Sequence, residues 1–420
     1  MAELKAGAAR ADMTPPLGIP LAGFWAPRPA EGIDTPLAAH ALLLDDGSRR
    51  LAFVAVDLIA LLAEQVDQAK AEIRRRCGID AQSVLVACSH THEGPYPCGL
   101  LGKDTGADPA YLARVVHAIV ESVTRAAESI EPAEISVGST LAEGICRNRR
   151  CLKDGDGFNF WQLPAAEHDK WPPAGPVDEE LLVLAVRRAT GRPLAVLWNY
   201  TLHAHAFAEA RVNADFPYYV GRKLAAALGE EVVSVFTAGA CADINRILDV
   251  AGPAIVDRLA DSLLGLYEAA SFSPRARLAA ATEAVEAPLR DFTVFQEDEI
   301  RRKQPANLEV CREEWEILRR LDQRSASTVL QVLAVDDFAV AAVPGEYFCA
   351  LGLDVKRRSP FAHTAVAELG NDYIGYIPTS AAYDEGGYEL FNARSAKVAR
   401  GVGEEMAETL VRMLNGLHGP

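Results

Sequence analysis

The chain has 420 residues, 50% hydrophobic and 24% charged, with a net charge of −16 and a pI near 5.1. This is ordinary globular composition, long enough for two or three domains or for one large α/β core. An acidic surface repels phosphate backbones and anionic headgroups, so neither a nucleic-acid partner nor stable membrane association is expected.

The opening residues, MAELKAGAARADMTPP, hold no apolar signal-peptide core, and no run approaches the roughly 18 apolar residues of a membrane span. Eight cysteines are scattered without a C-x-x-C pair and read as reduced thiols, which suits a cytoplasmic protein. Residues 37–63 read as two strands joined through Gly47-Ser48, and a helical pattern then ends at Gly78. VLVACSHTHEGPYP, residues 84–97, reads as a buried strand running into His90 and His92, which strand alternation would put on one face. Residues 109–130 carry Leu112, Val115, Val116, Ile119 and Val123 at helical spacing. A strand follows and ends in the basic cluster Arg147, Arg149 and Arg150, ahead of a long Gly-, Pro- and Trp-rich loop at 152–180.

Strands are predicted at 181–188 and 193–203, a helix near 216–228, and an apolar strand in VVSVF. Helices near 253–270 and 296–324 come next, then two strands joined by Asp336-Asp337, a strand in HTAVAELGNDYIGYIPT and a helix at 395–417. The alternation predicts α/β layers, a sheet-and-helix fold with its site at strand ends. The whole of 1–420 reads as a single domain without an internal repeat, and the polar helix at 296–324 is the best candidate for an excursion from the core.

Five predicted strands end in polar groups: His90 and His92; His203 and His205; Asp243, Asn245 and Arg246; Glu346; and Asn371, Tyr373 and Tyr376. Ligands bind beyond strand ends in α/β sheets. Zinc takes imidazole and carboxylate ligands, so these histidines, Glu346, Asp243 or a tyrosinate are candidate ligands. Asp57 reads either as holding a ligand or as closing a turn, and Asp215 as a helix N-cap.

The ordered set AGAARADMTPPLGIPLAGF, LAFVAVDLIAL, ACSHTHEGP, NRR, WNYTLHAH, NADFPYYV, FTAGACADIN, VPGEYF and NDYIGYIPT resembles the neutral (alkaline, non-lysosomal) ceramidase family over most of the chain. The resemblance implies a mononuclear Zn2+ site with His90, His203, Glu346 and Tyr376 as ligands. It implies that His92 stands near substrate as a proton shuttle or hydrogen-bond donor, and that Arg149 is a substrate-contacting cation. Where the family carries a serine, this chain has Asn245, which can orient a carbonyl but cannot be a nucleophile. The family's C-terminal immunoglobulin-like domain is absent from the reading. The resemblance therefore implies a zinc-dependent hydrolase that cleaves an amide, ester or lactone by metal-activated water.

The expected substrate is a small molecule, more polar than ceramide and anionic, with Arg149 at the mouth and Trp161 and Trp171 in a closing loop. A homo-oligomer is compatible with this reading. The alternatives are an amidohydrolase-type metal enzyme, and a non-catalytic ligand-binding homologue.

Overall fold

The computed structural model describes residues 3–101, 106–168, 170–207 and 209–418. Twelve strands form two sheets. They are β1 (Lys5–Asp12), β2 (Ala38–Asp45), β3 (Arg50–Val56), β4 (Val84–Cys88), β5 (Glu131–Leu141), β6 (Glu180–Arg188), β7 (Pro193–Tyr200), β8 (Val233–Ala238), β9 (Leu278–Pro288), β10 (Ser325–Val335), β11 (Phe338–Ala342) and β12 (His363–Ala367). The larger sheet has the order β8-β7-β6-β5-β1-β2-β3-β4, and the smaller β9-β10-β11-β12. The helices are α1 (Ala63–Cys77), α2 (Pro109–Glu128), α3 (Asp215–Leu228), α4 (Gly252–Glu268), α5 (Glu297–Lys303), α6 (Leu308–Leu318), α7 (Cys349–Arg358), α8 (Ala382–Glu385) and α9 (Val402–His418). This confirms the mixed α/β class.

The topology repeats three times, although no sequence repeat announces it. Each unit runs through three antiparallel strands, a helix, a fourth strand parallel to the third, and a closing helix. The units are β1-β2-β3-α1-β4-α2, β5-β6-β7-α3-β8-α4 and β9-β10-β11-α7-β12-α9. The larger sheet joins the first two units through a short β1–β5 pairing. In each unit the first and second strands are separated by a long excursion, at 13–37, 142–179 and 289–324.

Alternating side chains explain the layering. Leu42 and Leu44 of β2, Leu182 and Leu184 of β6, and Leu333 and Val335 of β10 point into one central core. Their neighbours turn outward, each beneath the helices of its own unit: Leu43 toward α1 and α2, Val183 toward α4, and Val332 toward α9. Where both faces are covered, as at β3, β4, β7 and β11, the strands read as near-continuous apolar runs.

Local chemistry sets the element ends. Gly78 takes φ 68° and donates to Arg74 O to close α1, and Asp108 caps α2 ahead of Pro109. The helix predicted at 296–324 is two helices, because Pro305 lacks an N–H and interrupts the ladder. The reading overlooked β1 and β9, whose Ala- and Glu-rich sequences have weak strand propensity. They are strands because β9 pairs with β10, and β1 with β2, along their full lengths. The eight cysteines stand free. No helix among the described residues is long and apolar enough to cross a membrane.

The carboxyl ends of the parallel pairs meet. Asn371 N donates to Val86 O at 2.7 Å, Glu368 N to Ala238 O at 3.1 Å, and Asn199 Nδ2 to Val366 O at 3.1 Å. The segments leaving β3, β4, β7, β8, β11 and β12 therefore converge on one place.

Candidate metal centre and substrate cleft

The candidate residues lie just past the strand ends rather than on the strands. Two residues beyond β4, His90 adopts a left-handed backbone with φ 65°, and Asn371 beyond β12 does the same with φ 66°. Such conformations cost on the order of 1–3 kcal/mol each for a non-glycine residue and persist where surrounding structure holds them. Strand alternation is thus not what brings His90 and His92 together. A sharp turn sets their rings at right angles, with centroids 4.9 Å apart.

The centre is built from three imidazoles and a carboxylate. His90 Nδ1 contacts Ile59 O at 2.8 Å, and His203 Nδ1 contacts Cys241 O at 2.8 Å. A carbonyl only accepts, so each Nδ1 carries the proton and each Nε2 presents a lone pair when the ring is neutral. The two Nε2 atoms stand 3.1 Å apart. Glu346 Oε2 lies 3.4 Å from one and 3.8 Å from the other, and has no hydrogen-bond donor. Its Oε1 accepts from Tyr373 OH at 2.8 Å. His92 completes a cluster in which ligand atoms of His90, His92 and His203 lie within 4.8 Å of one another. Its Nδ1 faces Gly23 O at 3.2 Å, and its Nε2 is buried without a partner.

Arg149 lies inside the centre, not at its mouth. It is buried, with Nε donating to Glu389 Oε1 at 2.9 Å, Nη1 to His203 Nε2 at 3.2 Å, and Nη2 to Tyr376 OH at 3.2 Å. Arg150 shares Glu389 through a 2.9 Å bond to Oε2 and also reaches Glu385. Arg147 packs over Phe160 and donates to His168 O.

Electrostatics sort the groups. Burial works against charge on His90, but Glu346 outweighs it and holds the imidazole above its ordinary range. Burial holds His203 well down, with His90 and Arg149 adding to it, and holds His92 well down, with His205 adding to it. Burial and Glu346 push the Tyr376 phenol far above its usual value. Burial would raise Glu389, but Arg149 and Arg150 overcome it and keep the carboxylate ionised.

A cleft of about 610 Å³ opens beside His203 and His205. Phe160, Trp161, Phe207 and Leu248 form its apolar walls, and Asn245 and Arg246 are among its polar ones. The Asn245 side-chain oxygen is buried without a partner. Trp161 reaches the cleft, whereas Trp171 is turned to Glu167 and Lys153.

The remaining candidates hold the site rather than line it. Asp243 accepts from Cys349 N and Asn148 Nδ2, fixing the residue next to Arg149. Asp57 accepts from Ala38 N and His40 Nε2, so it ties the end of β3 to β2 and neither holds a ligand nor closes a turn. Asp215 accepts from Ala206 N and Phe207 N as well as from Phe216 N, so it pins the loop after His205 instead of only starting a helix.

Three glutamates escaped sequence reasoning. Glu389 is shared by Arg149 and Arg150. Glu368, pushed up to about 7 by burial, accepts from Cys241 N and Tyr347 N and thereby places the carbonyl that orients His203. Glu93, also raised to about 7 by burial, stands 3.5 Å from His205 Nδ1. Glu93 and Glu368 lie inside the stretches ACSHTHEGP and HTAVAELGNDYIGYIPT, but neither they nor Glu389 carries a spacing that marks it as a partner of these groups.

The first two excursions roof the centre. Phe24 packs on His92 and His205, Trp25 on Tyr388, and Trp161 on Tyr388. The third excursion, at 289–324, packs on the second: it buries Lys303, which donates to Gly157 O, and Glu314, which binds Arg394.

Fold and site together define a mixed α/β protein with a buried histidine–carboxylate centre at the junction of its parallel strand pairs. The model of the neutral/alkaline non-lysosomal ceramidase N-terminal region matches residues 4–215. The chain belongs to that family, and membership points to a hydrolase. The fold is similar to that of neutral ceramidase from Pseudomonas aeruginosa, with TM-score 0.77 at 16% identity over 100% of this chain and 76% of that one. A ceramidase complexed with C2 is similar at TM-score 0.76 and 16% identity, over 99% of this chain and 75% of that one. No curated protein sequence matches the chain.

Proposed function

We propose that this protein is a zinc-dependent hydrolase that cleaves an amide bond in a small substrate. One observation carries the reading: the Nε2 atoms of His90 and His203 and Oε2 of Glu346 converge with mutual distances of 3.1, 3.4 and 3.8 Å. Ligands about 2.1 Å from a tetrahedral ion sit ~3.4 Å apart, so the spacing fits such an ion. Apart from the Arg149 contact to His203, the carboxylate oxygen and the two imidazole Nε2 atoms form a convergent donor set of the kind a divalent cation takes. Tyr376 is the fourth proposed ligand, and His92 is the alternative from the histidine cluster. With its phenol pKa so high, Tyr376 serves as an anionic ligand only through the charge the ion brings.

A zinc ion held there supplies Lewis-acid polarisation of a carbonyl and an acidified water. The chain's own residues do the rest. His92 is neutral, with its Nδ1 proton donated to Gly23 O, so its Nε2 accepts a proton rather than donating one. Asn245 orients the substrate carbonyl in the cleft, where no serine stands at that place. Arg149 donates to Tyr376 OH while Glu389 holds its Nε; its contact with His203 Nε2 uses the lone pair a metal would take and gives way on loading, so Arg149 positions Tyr376 instead of gripping an anion. The apolar walls receive an acyl or aromatic group.

The test is metal analysis combined with turnover of chromogenic amides and esters of graded acyl length. About one zinc per chain and amide turnover lost on chelation are expected. Turnover unaffected by complete metal removal would overturn the reading.

A further inference from the structure

A second cavity, of about 420 Å³, lies between the first and second units and shares no lining residue with the cleft beside His203. Its size is that of a small-molecule site. Its apolar lining includes Val233 and Phe236 of β8 and Ala38 and Ala55 of the first unit. Its charged lining consists of Arg10, Asp12, His40, Asp57, Arg125 and Arg222.

Most of these charges are already met. Asp12 pairs with Arg114, Arg125 with Glu121, Arg222 with Glu230, and Asp57 with His40 at 3.1 Å. Arg10 is the exception: its guanidinium has no hydrogen bond or ion pair among the described residues. It stands directly across from His40 in the β1–β2 register. His40 is itself held by Asp57, which also accepts from Ala38 N, so the imidazole is oriented beside the unmet guanidinium. One uncompensated planar cation and an oriented imidazole thus border an apolar lining, in a protein of net charge −16. A carboxylate matches the guanidinium fork with two parallel hydrogen bonds, and its apolar tail covers Val233 and Phe236.

We propose that this cavity is a second ligand site, taking a monocarboxylate with an apolar tail. Its walls are elements that also place the metal centre. Ile59, whose carbonyl orients His90, follows Asp57 by two residues, and α3 begins at Asp215, which pins the loop after His205.

The test uses 4-phenylbutanoate and its uncharged analogue 4-phenylbutanol, with calorimetry and ligand-observed NMR on the full chain. Wild type should bind the carboxylate, and the alcohol should bind about ten- to hundredfold more weakly, because it lacks the charge-assisted pair. Arg10→Gln lies on an exposed strand position and should lose a similar factor for the carboxylate while leaving binding of the alcohol unchanged. His90→Ala, which breaks the metal centre, should leave carboxylate binding intact. Absence of binding at millimolar concentration, indifference to Arg10→Gln, or loss of binding in His90→Ala would each overturn the proposal. The last result would put the carboxylate at the metal centre instead, without bearing on whether that centre hydrolyses amides.

Discussion

Arg149 is locked to Glu389 by a 2.9 Å bond, and both groups are out of solvent. Glu389 holds Arg150 as well. Replacing it by Gln keeps the shape but leaves buried guanidinium charge short of a partner, and breaking a buried pair in this way costs about 3–5 kcal/mol. Urea denaturation of Glu389→Gln should show a loss of that order. Because the Arg149 charge is spent on Glu389, Arg149→Ala should depress kcat/KM equally on anionic and neutral amides of the same size. A selective loss on the anionic series would return Arg149 to the role of substrate grip.

Metal content should follow the convergent Nε2 atoms. His90→Ala and His203→Ala should each empty the centre in elemental analysis. Tyr373→Phe removes only the hydroxyl that holds Glu346 Oε1. Loss of such an outer partner typically weakens metal affinity about 10- to 100-fold, so this variant should hold zinc but release it to a weaker chelator. A Tyr373→Phe protein with unchanged affinity would show that Glu346 is not a ligand.

Gly23 has a positive φ of 88°, and a Cβ there would fall 2.5 Å from His92 Cγ. Gly23→Ala must therefore displace the loop or the imidazole. If His92 accepts the proton, turnover should fall by about 10²-fold or more while the zinc content stays at wild-type level. Undiminished turnover would remove His92 from the mechanism.

Asn245→Ala should reduce turnover by roughly 10²–10³ at most, the effect of losing one polarising hydrogen bond, without abolishing it. Trapping of a covalent acyl-enzyme by mass spectrometry would contradict this and require another nucleophile.

Stability should carry a signature from Lys70, far from the centre. Burial, only partly offset by Asp67, lowers it to about 8, against about 10.4 in an unfolded chain. Between those values the unfolded chain holds a proton the folded chain has released, so this group makes stability rise with pH from about 8 to 10.4. At neutral pH both states are protonated and the burial cost is fully present. Lys70→Met should therefore stabilise the protein by about 1–3 kcal/mol at pH 7, with the gain shrinking as pH approaches 10. A gain that stays constant with pH would rule out this cause.

Much of the centre was legible because its groups come in short patterns at the ends of apolar runs. H-T-H, T-L-H, V-P-G-E and Y-x-x-Y each mark a place where a strand gives way to polar chemistry, and the structure brings all four together. Strand alternation predicts a shared face for His90 and His92, whereas a left-handed turn at His90 sets their geometry. Glu368 and Glu389 were illegible because a lone glutamate gives no sign of whether it faces water or two arginines. The threefold topology was hidden for a similar reason, since excursions of unequal length and Ala-rich first strands erase any periodic signal.

The threefold architecture has a consequence for how the protein matures. Each unit can complete its strands and cover them with its own helices locally. The central core and the proposed ligand set cannot form that way, because His90 comes from the first unit, His203 from the second, and Glu346 and Tyr376 from the third. An ion that binds only the closed arrangement lends its binding energy to the docking of units rather than to any one of them. Stripping a zinc ion bound there should loosen the seams first, so exchange of the Glu368 and Asn371 amides, which donate across the seams, should quicken before that of amides within the sheets.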